Sequence, residues 1–421
     1  MSRHIAVIGA GAVGIACALE LLRCGYKVTV IEPDRPGGEQ GASYGNAGWL
    51  STQSILPPAT PGVWKKVPSY IADPLGPLAI RWSYLPKALP WLLRYLRAGW
   101  TWEQVEKTAQ ILRPLLAEAP QLHKALAHEA GVGHLIAEGG VLCAYMDRSH
   151  FEKEALAWDI RARAGIKWRE LSGPALYDEE LALRQRYRFA VAVDEAGRCR
   201  DPGSYISALA NHARARGAAF ETANARDFRF ENNRLEAVVT DRGEVICDKV
   251  VIAAGIGSGR LAKCLGDWMP LQSERGYHVT VEGGSSGLNT AFMASDAGMV
   301  VQQMESGLRA AGQVEIAGTD AAPDWRRAEI LKQHLAGLFP LLDMEKTRFW
   351  MGHRPSMPDG RPCIGFSSHS RDIAYAFGHG HVGMMASART GRIVAALLSG
   401  QKPEIDIEGF APDRFGKRYK A

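Results

Sequence analysis

Four groups of residues in this chain have types and spacings that could do chemistry. The first is Gly9-Ala10-Gly11-Ala12-Val13-Gly14, directly after the β-branched run His4-Ile5-Ala6-Val7-Ile8 and opening a helically spaced segment from Ile15 to Cys24. Glycine at the first position permits the tight turn. At the second it lets the backbone approach a pyrophosphate, and at the third it lets helix and strand pack closely. The helix start then turns free N–H groups and a positive dipole end toward phosphate. Glu32, followed by Pro33, closes the next strand-like run, Lys27 to Ile31, where a carboxylate can accept from ribose hydroxyls. A carboxylate there disfavours a 2′-phosphate, so the expected nucleotide is FAD or NAD, not NADP.

The second group chooses between them. An NAD domain would continue in βαβ units, but this chain leaves that pattern after Gly48 for proline-rich and helical material. It returns with Val250-Val251-Ile252-Ala253-Ala254-Gly255, and later with Gly378-His379-Gly380-His381-Val382-Gly383 before a helical segment, Met384 to Leu398. A strand ending in Ala-Ala-Gly far from the first turn fits an FAD fold of the glutathione-reductase type. The late glycine loop can aim N–H groups and a helix start at a flavin. His379 and His381 have the spacing of a metal pair, yet no cysteine or carboxylate cluster accompanies them, so no metal is expected.

The third group is Arg354 with His353 beside it, and the fourth is Tyr277 with His278. A guanidinium fork suits a planar carboxylate; the plain alternative is a surface ion pair. Tyr277 and His278 point to opposite faces if their strand is regular, so only one of them can face a cofactor; the plain reading of Tyr277 is a core tyrosine. His353 and His278 remain pocket candidates.

These groups need elements to position them. Besides the opening strand–helix–strand, strands are expected at Ala190 to Asp194, Asp227 to Phe230, Arg234 to Thr240, Val245 to Ala253, through much of 271–318, and at Ile373 to Phe377. Helices are expected at Glu103 to Gly131, Ser149 to Ala164, Pro202 to Gly217 with Asp201 as cap, and Ala328 to Phe339. A chain of 421 residues is long enough for more than one core. Its 46% hydrophobic content and net charge of +5 argue against disorder and against a nucleic-acid partner. Seven cysteines without a C-x-x-C pair read as free thiols of a reducing, cytoplasmic compartment. Ile5 to Leu22 carries one charge, Glu20, and imitates a signal peptide, but the glycine spacing inside it argues for the nucleotide turn.

In this order the motifs resemble the FAD-dependent D-amino acid dehydrogenase group of the D-amino acid oxidase and glycine oxidase superfamily, some of whose members act on D-proline or D-hydroxyproline. The carriers are Gly9 to Gly14 with Glu32, Gly41-Ala42-Ser43-Tyr44-Gly45-Asn46-Ala47-Gly48, Glu274-Arg275-Gly276-Tyr277-His278, Arg354-Pro355-Ser356-Met357-Pro358-Asp359-Gly360, and Gly378 to Gly383. The resemblance implies an α/β FAD-binding Rossmann domain (1–80, 190–270, 346–421) intertwined with an α+β substrate domain on an antiparallel sheet (81–189, 271–345). It implies that Ala42, Ser43, Asn46, Ala47 and Gly48 follow the cofactor toward the flavin, that Arg354 pairs with a substrate carboxylate, and that Tyr277 is the contact above the flavin. It also implies that hydride passes from Cα to flavin N5, giving an imine and then a 2-oxo acid. Two departures stand out. His353 replaces a common leucine, and Gly352 stands where sarcosine oxidases carry a flavin-linking cysteine, so the FAD is expected to be non-covalent.

The resemblance leaves three activities open: a dehydrogenase passing electrons to quinone or another acceptor, a glycine or sarcosine oxidase-like enzyme, and the flavin subunit of a heteromeric dehydrogenase. The stretch 74–102 has no acidic residue but carries Arg81, Lys87, Arg94 and Arg97 among Trp82, Trp91, Trp100 and Trp102. It reads either as a face lying on the inner side of the cytoplasmic membrane or as a lid with snorkelling cations.

Overall fold

In a computed structural model the described residues are 3–62, 76, 78–284 and 286–416; positions 74, 75 and 77 of the basic aromatic stretch lie outside them. The opening βαβ reading holds to the residue: strand His4–Ile8, helix Ala12–Arg23, strand Lys27–Ile31. They belong to a six-stranded sheet whose order is Ala219–Glu221, Lys27–Ile31, His4–Ile8, Lys249–Ile252, Ile373–Phe377, Cys363–Phe366. All neighbours are parallel except the last pair. Helix Ala12–Arg23 packs on helix Gly383–Leu398, and their closest approach is at Gly391, where a Cβ would lie 2.7 Å from the Ala16 carbonyl oxygen.

A second sheet, of nine strands, faces the ends of the parallel one. Its path runs Thr347–Ser356, Gln272–Glu282, Gly307–Ile316, Met299–Met304, Phe292–Ala294, Val141–Tyr145, Phe189–Val193, Arg169–Ser172, with Leu78–Ile80 added beside Gly307–Ile316. The expected antiparallel pairing is interrupted twice by parallel neighbours, at Phe292–Ala294 with Val141–Tyr145 and at Leu78–Ile80. The expected domain limits at 190 and 346 cut through this sheet, because Phe189–Val193 and Thr347–Ser356 both hydrogen-bond within it. Helix Arg326–Leu338 covers its back, burying Ala328, Leu331, Leu335 and Leu338 against Val279, Val281, Leu308 and Val301.

Three expected elements are broken, and the helix expected at Ser149 to Ala164 divides into Arg148–Glu152 and Ala155–Arg163. Val245 to Ala253 divides into Gly243–Ile246, in a separate three-stranded sheet, and Lys249–Ile252. Asp248 makes the joint, its backbone N–H donating to the His4 carbonyl at 2.8 Å while its carboxylate accepts from the His4 N–H at 2.7 Å. Glu103 to Gly131 divides into Trp102–Leu116 and Ala119–Glu129 at Glu118, whose φ is +58°. Pro120 opens the second helix, where a missing N–H does no harm. The Asp201 cap is as expected, accepting from the Ser204 N–H at 3.0 Å.

Gly391→Val should force the two packed helices apart. We expect a loss of about 1–3 kcal/mol, read as a lower urea midpoint with unchanged slope; an unaltered midpoint would refute the close packing.

Candidate functional site

A cavity of about 830 Å³ lies between the parallel sheet and the nine-stranded sheet. Its nucleotide end is built by the glycine turn. Gly9 sits at φ +106°, and a Cβ there would meet the Ala253 carbonyl oxygen at 2.4 Å. A Cβ on Gly14 would stand 1.9 Å from the Gly9 oxygen, so Gly14 serves the turn from behind and does not border the cavity. Gly9, Ala10, Gly11 and Val13 border it, as do Ala254 and Gly255 from the second strand end. Glu32 and Pro33 border it too. One Glu32 oxygen accepts from the Ala10 N–H at 2.6 Å, and burial pushes its carboxyl up against that bond. Ser43 Oγ accepts from the Ala12 N–H at 3.0 Å.

Ala42, Ser43, Asn46 and Ala47 continue along the wall. Gly48 does not; it sits at φ +69°, where a Cβ would lie 2.1 Å from the Cys199 oxygen, and its N–H donates to Asn46 Oδ1 at 2.8 Å. The loop is gripped from the other sheet. Buried Arg309 donates to the carbonyls of Tyr44 and Asn46 at 3.1 and 2.9 Å, and Trp350 Nε1 donates to the Glu39 carbonyl at 2.7 Å. His278 donates from Nδ1 to the Gly45 carbonyl at 3.2 Å and stacks on Trp350 at 5.0 Å. Burial, then the Arg309 charge, hold its pKa well below the ordinary histidine value. His278 is therefore a neutral clasp on the loop, not a pocket residue.

The strand alternation runs opposite to the expectation at Tyr277. Glu274, Gly276 and His278 share the cavity face, whereas Tyr277 points to the back of the sheet and donates to Glu315 Oε2 at 2.6 Å. Its ring fills a core and cannot contact a flavin. Arg354 is where expected, on the cavity wall. Its guanidinium lies flat across Gly276, where a Cβ would stand 2.2 Å from Cζ, and donates to the carbonyl of Gln313 at 3.1 Å. Gln313 occupies the left-handed region at φ +58°, and Arg327 Nη1 donates to its side-chain oxygen at 3.0 Å.

Glu274 pairs directly opposite Arg354 in the strand register, but the two form no ion pair. The buried Glu274 carboxylate accepts from Ser356 Oγ and lies 3.3 Å from His381 Nε2. Burial pushes its pKa up, but His381, Ser356 and Arg354 outweigh this and hold it below the usual value. His353 borders the cavity with Nδ1 2.8 Å from Ser273 Oγ.

The late glycine loop, Gly378 to Gly383, borders the cavity along its whole length and leads into helix Gly383–Leu398. Its histidines point apart. His379 turns to Thr390 at 3.1 Å, with burial lowering its pKa to about 3, and His381 turns to Glu274.

A cleft with a ribose carboxylate, a pyrophosphate turn and a late helix start fits a dinucleotide laid in extended form, and the comparisons agree. A family model described as FAD dependent oxidoreductase, DAO, matches residues 4–397. The chain belongs to the DAO family of FAD-dependent oxidoreductases. It is 57% identical over 417 residues, 98% of this chain and 99% of the other, to a D-amino-acid oxidase of Bradyrhizobium diazoefficiens. It is 31% identical to a D-amino acid dehydrogenase of Paramagnetospirillum magneticum, with 98% of each covered. Among solved structures, L-proline dehydrogenase from P. horikoshii superposes with a TM-score of 0.73 at 20% identity, 98% of each chain being covered.

For a DAO-family enzyme the residues missed in the sequence are Glu274, Gly276 and Gln313 around Arg354, and Arg309 and Trp350 on the loop. The Glu-x-Gly alternation before Tyr277 carried the signal for the first two, since period two places both on one face. Among the described residues no helix is long and apolar enough to cross a membrane.

Removing the ribose carboxylate tests the cofactor end. Glu32→Ala should weaken FAD binding about 10–100-fold, the equivalent of one or two hydrogen bonds to a charged group. Titration of the apoprotein by flavin fluorescence reads this, and an unchanged Kd would remove Glu32 from the ribose.

Proposed function

We propose that this enzyme oxidises the Cα–N bond of a D-amino acid, cyclic amines such as D-proline and D-hydroxyproline included. The observation that carries the reading is the pair Glu274 and Arg354. Opposite charges stand across two bonded strands beside the dinucleotide cleft, each bonded to its own neighbours and the two forming no direct ion pair. An amino acid carries the matching charges on one carbon. Arg354 takes the carboxylate, Glu274 accepts N–H bonds from the amine, and the Cα hydrogen is thereby fixed over the cofactor. Bound FAD supplies the two-electron acceptor. The amine must shed a proton before oxidation, and His381 Nε2, on a partly exposed ring against Glu274, links that site to solvent. The D configuration rests on the names of the relatives at 57% and 31% identity.

For the electrons we keep a non-oxygen acceptor such as quinone as the first reading, in keeping with the dehydrogenase names. The relative at 57% favours a second, direct use of oxygen. Contacts in the 74–102 stretch support its reading as a lid. Arg81 pairs with Glu315 at 2.6 Å, Arg94 stacks on Trp268, and buried Trp91 donates to the Ser356 carbonyl at 3.2 Å while Tyr95 borders the cavity. Trp82, Leu89, Leu93 and Trp100 remain exposed, and they are the residues a membrane face would use.

Anaerobic mixing of the FAD-loaded enzyme with separate D- and L-amino acids should bleach the flavin with D-compounds only. Bleaching by L-compounds alone would overturn the reading, and air or quinone reoxidation then distinguishes the two acceptors. Arg354→Ala should raise KM about 100-fold, roughly 2.7 kcal/mol, with FAD still bound, and Gly276→Val should do the same by displacing the guanidinium.

A further inference from the structure

The same cavity holds a second cation. Arg161 borders it, and among the described residues no carboxylate lies within ion-pair distance of its guanidinium. Its Nε donates to the Gln53 carbonyl at 3.1 Å and its face stacks on Trp158 at 4.6 Å, but Nη1 is buried without a partner. Gln53 is itself buried, and its side-chain amide faces the Cys143 thiol with no nitrogen or oxygen partner. Glu154 acts on Arg161 only at a distance, its carboxylate accepting from Tyr145 at 2.9 Å, and burial raises the Cys143 thiol to about 11. A half-buried cation with one buried, unpartnered N–H group, beside a buried amide, is costly unless something completes it.

We infer that Arg161, backed by Gln53, forms a second anion subsite, and that the preferred substrates are D-amino acids carrying a side-chain carboxylate. This rests on the D-amino acid reading above. The spacing suits it. Ala311, Val300 and Met293 border the cavity in one row across the sheet, and Cys143, which does not border it, continues the row, each opposite the next in register. The Arg354 guanidinium reaches the strand of Ala311, and Arg161 lies on the Cys143 side of the sheet. At about 4.8 Å per strand, Met293 and Cys143 are roughly 10 and 14 Å from that strand. Guanidinium and carboxylate carbons in contact are about 4 Å apart, and a four- or five-carbon dicarboxylate adds roughly 4–5 Å between its ends, so one molecule bridges about 12–13 Å.

The test is kcat/KM of the FAD-loaded enzyme on D-glutamate and D-aspartate against their uncharged isosteres D-glutamine and D-asparagine, with an artificial electron acceptor. Each acid should exceed its amide at least tenfold. Arg161→Gln should cut that ratio at least tenfold, and Arg161→Lys should restore part of it. Equal use of acid and amide by the unaltered enzyme, or an unchanged ratio in Arg161→Gln, overturns the subsite and leaves the D-amino acid reading standing. Should Arg161→Gln fail to fold, the ratio in the unaltered enzyme decides. Flavin that no D-amino acid bleaches overturns both. Glutarate should also raise Tm more for the unaltered protein than for Arg161→Gln, and equal shifts count against the subsite.

Discussion

Arg354 can lie flat on its sheet only because position 276 has no side chain. Every other feature of the substrate end follows from that constraint. With the guanidinium lying across Gly276, its donors meet the carbonyl of Gln313, and that carbonyl is presented because Gln313 takes a left-handed conformation at an irregularity in the pairing. A left-handed glutamine is strained by about 1 kcal/mol or more, and its side chain is fixed from below by buried Arg327. The cation is thus oriented by neutral carbonyls. A carboxylate partner would have oriented it equally well but would have cancelled the charge that a ligand needs.

The joint between the two sheets follows the same logic. Three side chains of the substrate sheet, Arg309, His278 and Trp350, all end on carbonyl oxygens of the loop between Glu39 and Asn46. Hydrogen bonds from a charged donor contribute about 1.5–3 kcal/mol, so Arg309 alone ties the cofactor loop firmly to the sheet that carries Arg354. Flavin position and substrate position are therefore set by one continuous framework. Trp350 reaches the loop only because Gly45 and Gly352 leave room for its indole, each Cβ otherwise falling about 2 Å from the ring.

Much of this was legible in the sequence, and the failures have definite causes. The nucleotide half could be read because its residues are local: turn, helix and carboxylate follow one another within one βαβ unit, and each has a fixed chemical task. Arg354 was legible through its motif. Tyr277 was not, because alternation says only that neighbours face opposite ways; which face is the cavity depends on helix Arg326–Leu338 covering the other one. The split at Asp248 depended on a bond to His4, distant in the chain. Glu118 could have been found, since Pro120 marks a new helix start.

On the proposed substrate reading, charge separation at the site would also account for selectivity. Glu274 and Arg354 are both drawn into a cavity wall; His381, Ser356 and Arg354 outweigh the burial cost of Glu274, while carbonyl bonds and the Glu274 charge only partly offset that of Arg354. A zwitterionic amino acid answers both charges at once. A simple amine answers one and leaves the guanidinium uncompensated, and a simple carboxylic acid leaves the carboxylate so. Sites that would strand a buried charge reject the wrong ligand far more strongly than sites that merely lose an apolar contact. Discrimination in favour of amino acids is therefore built into the two strands themselves, before any side-chain pocket acts. Shape and charge farther along the sheet then choose among them.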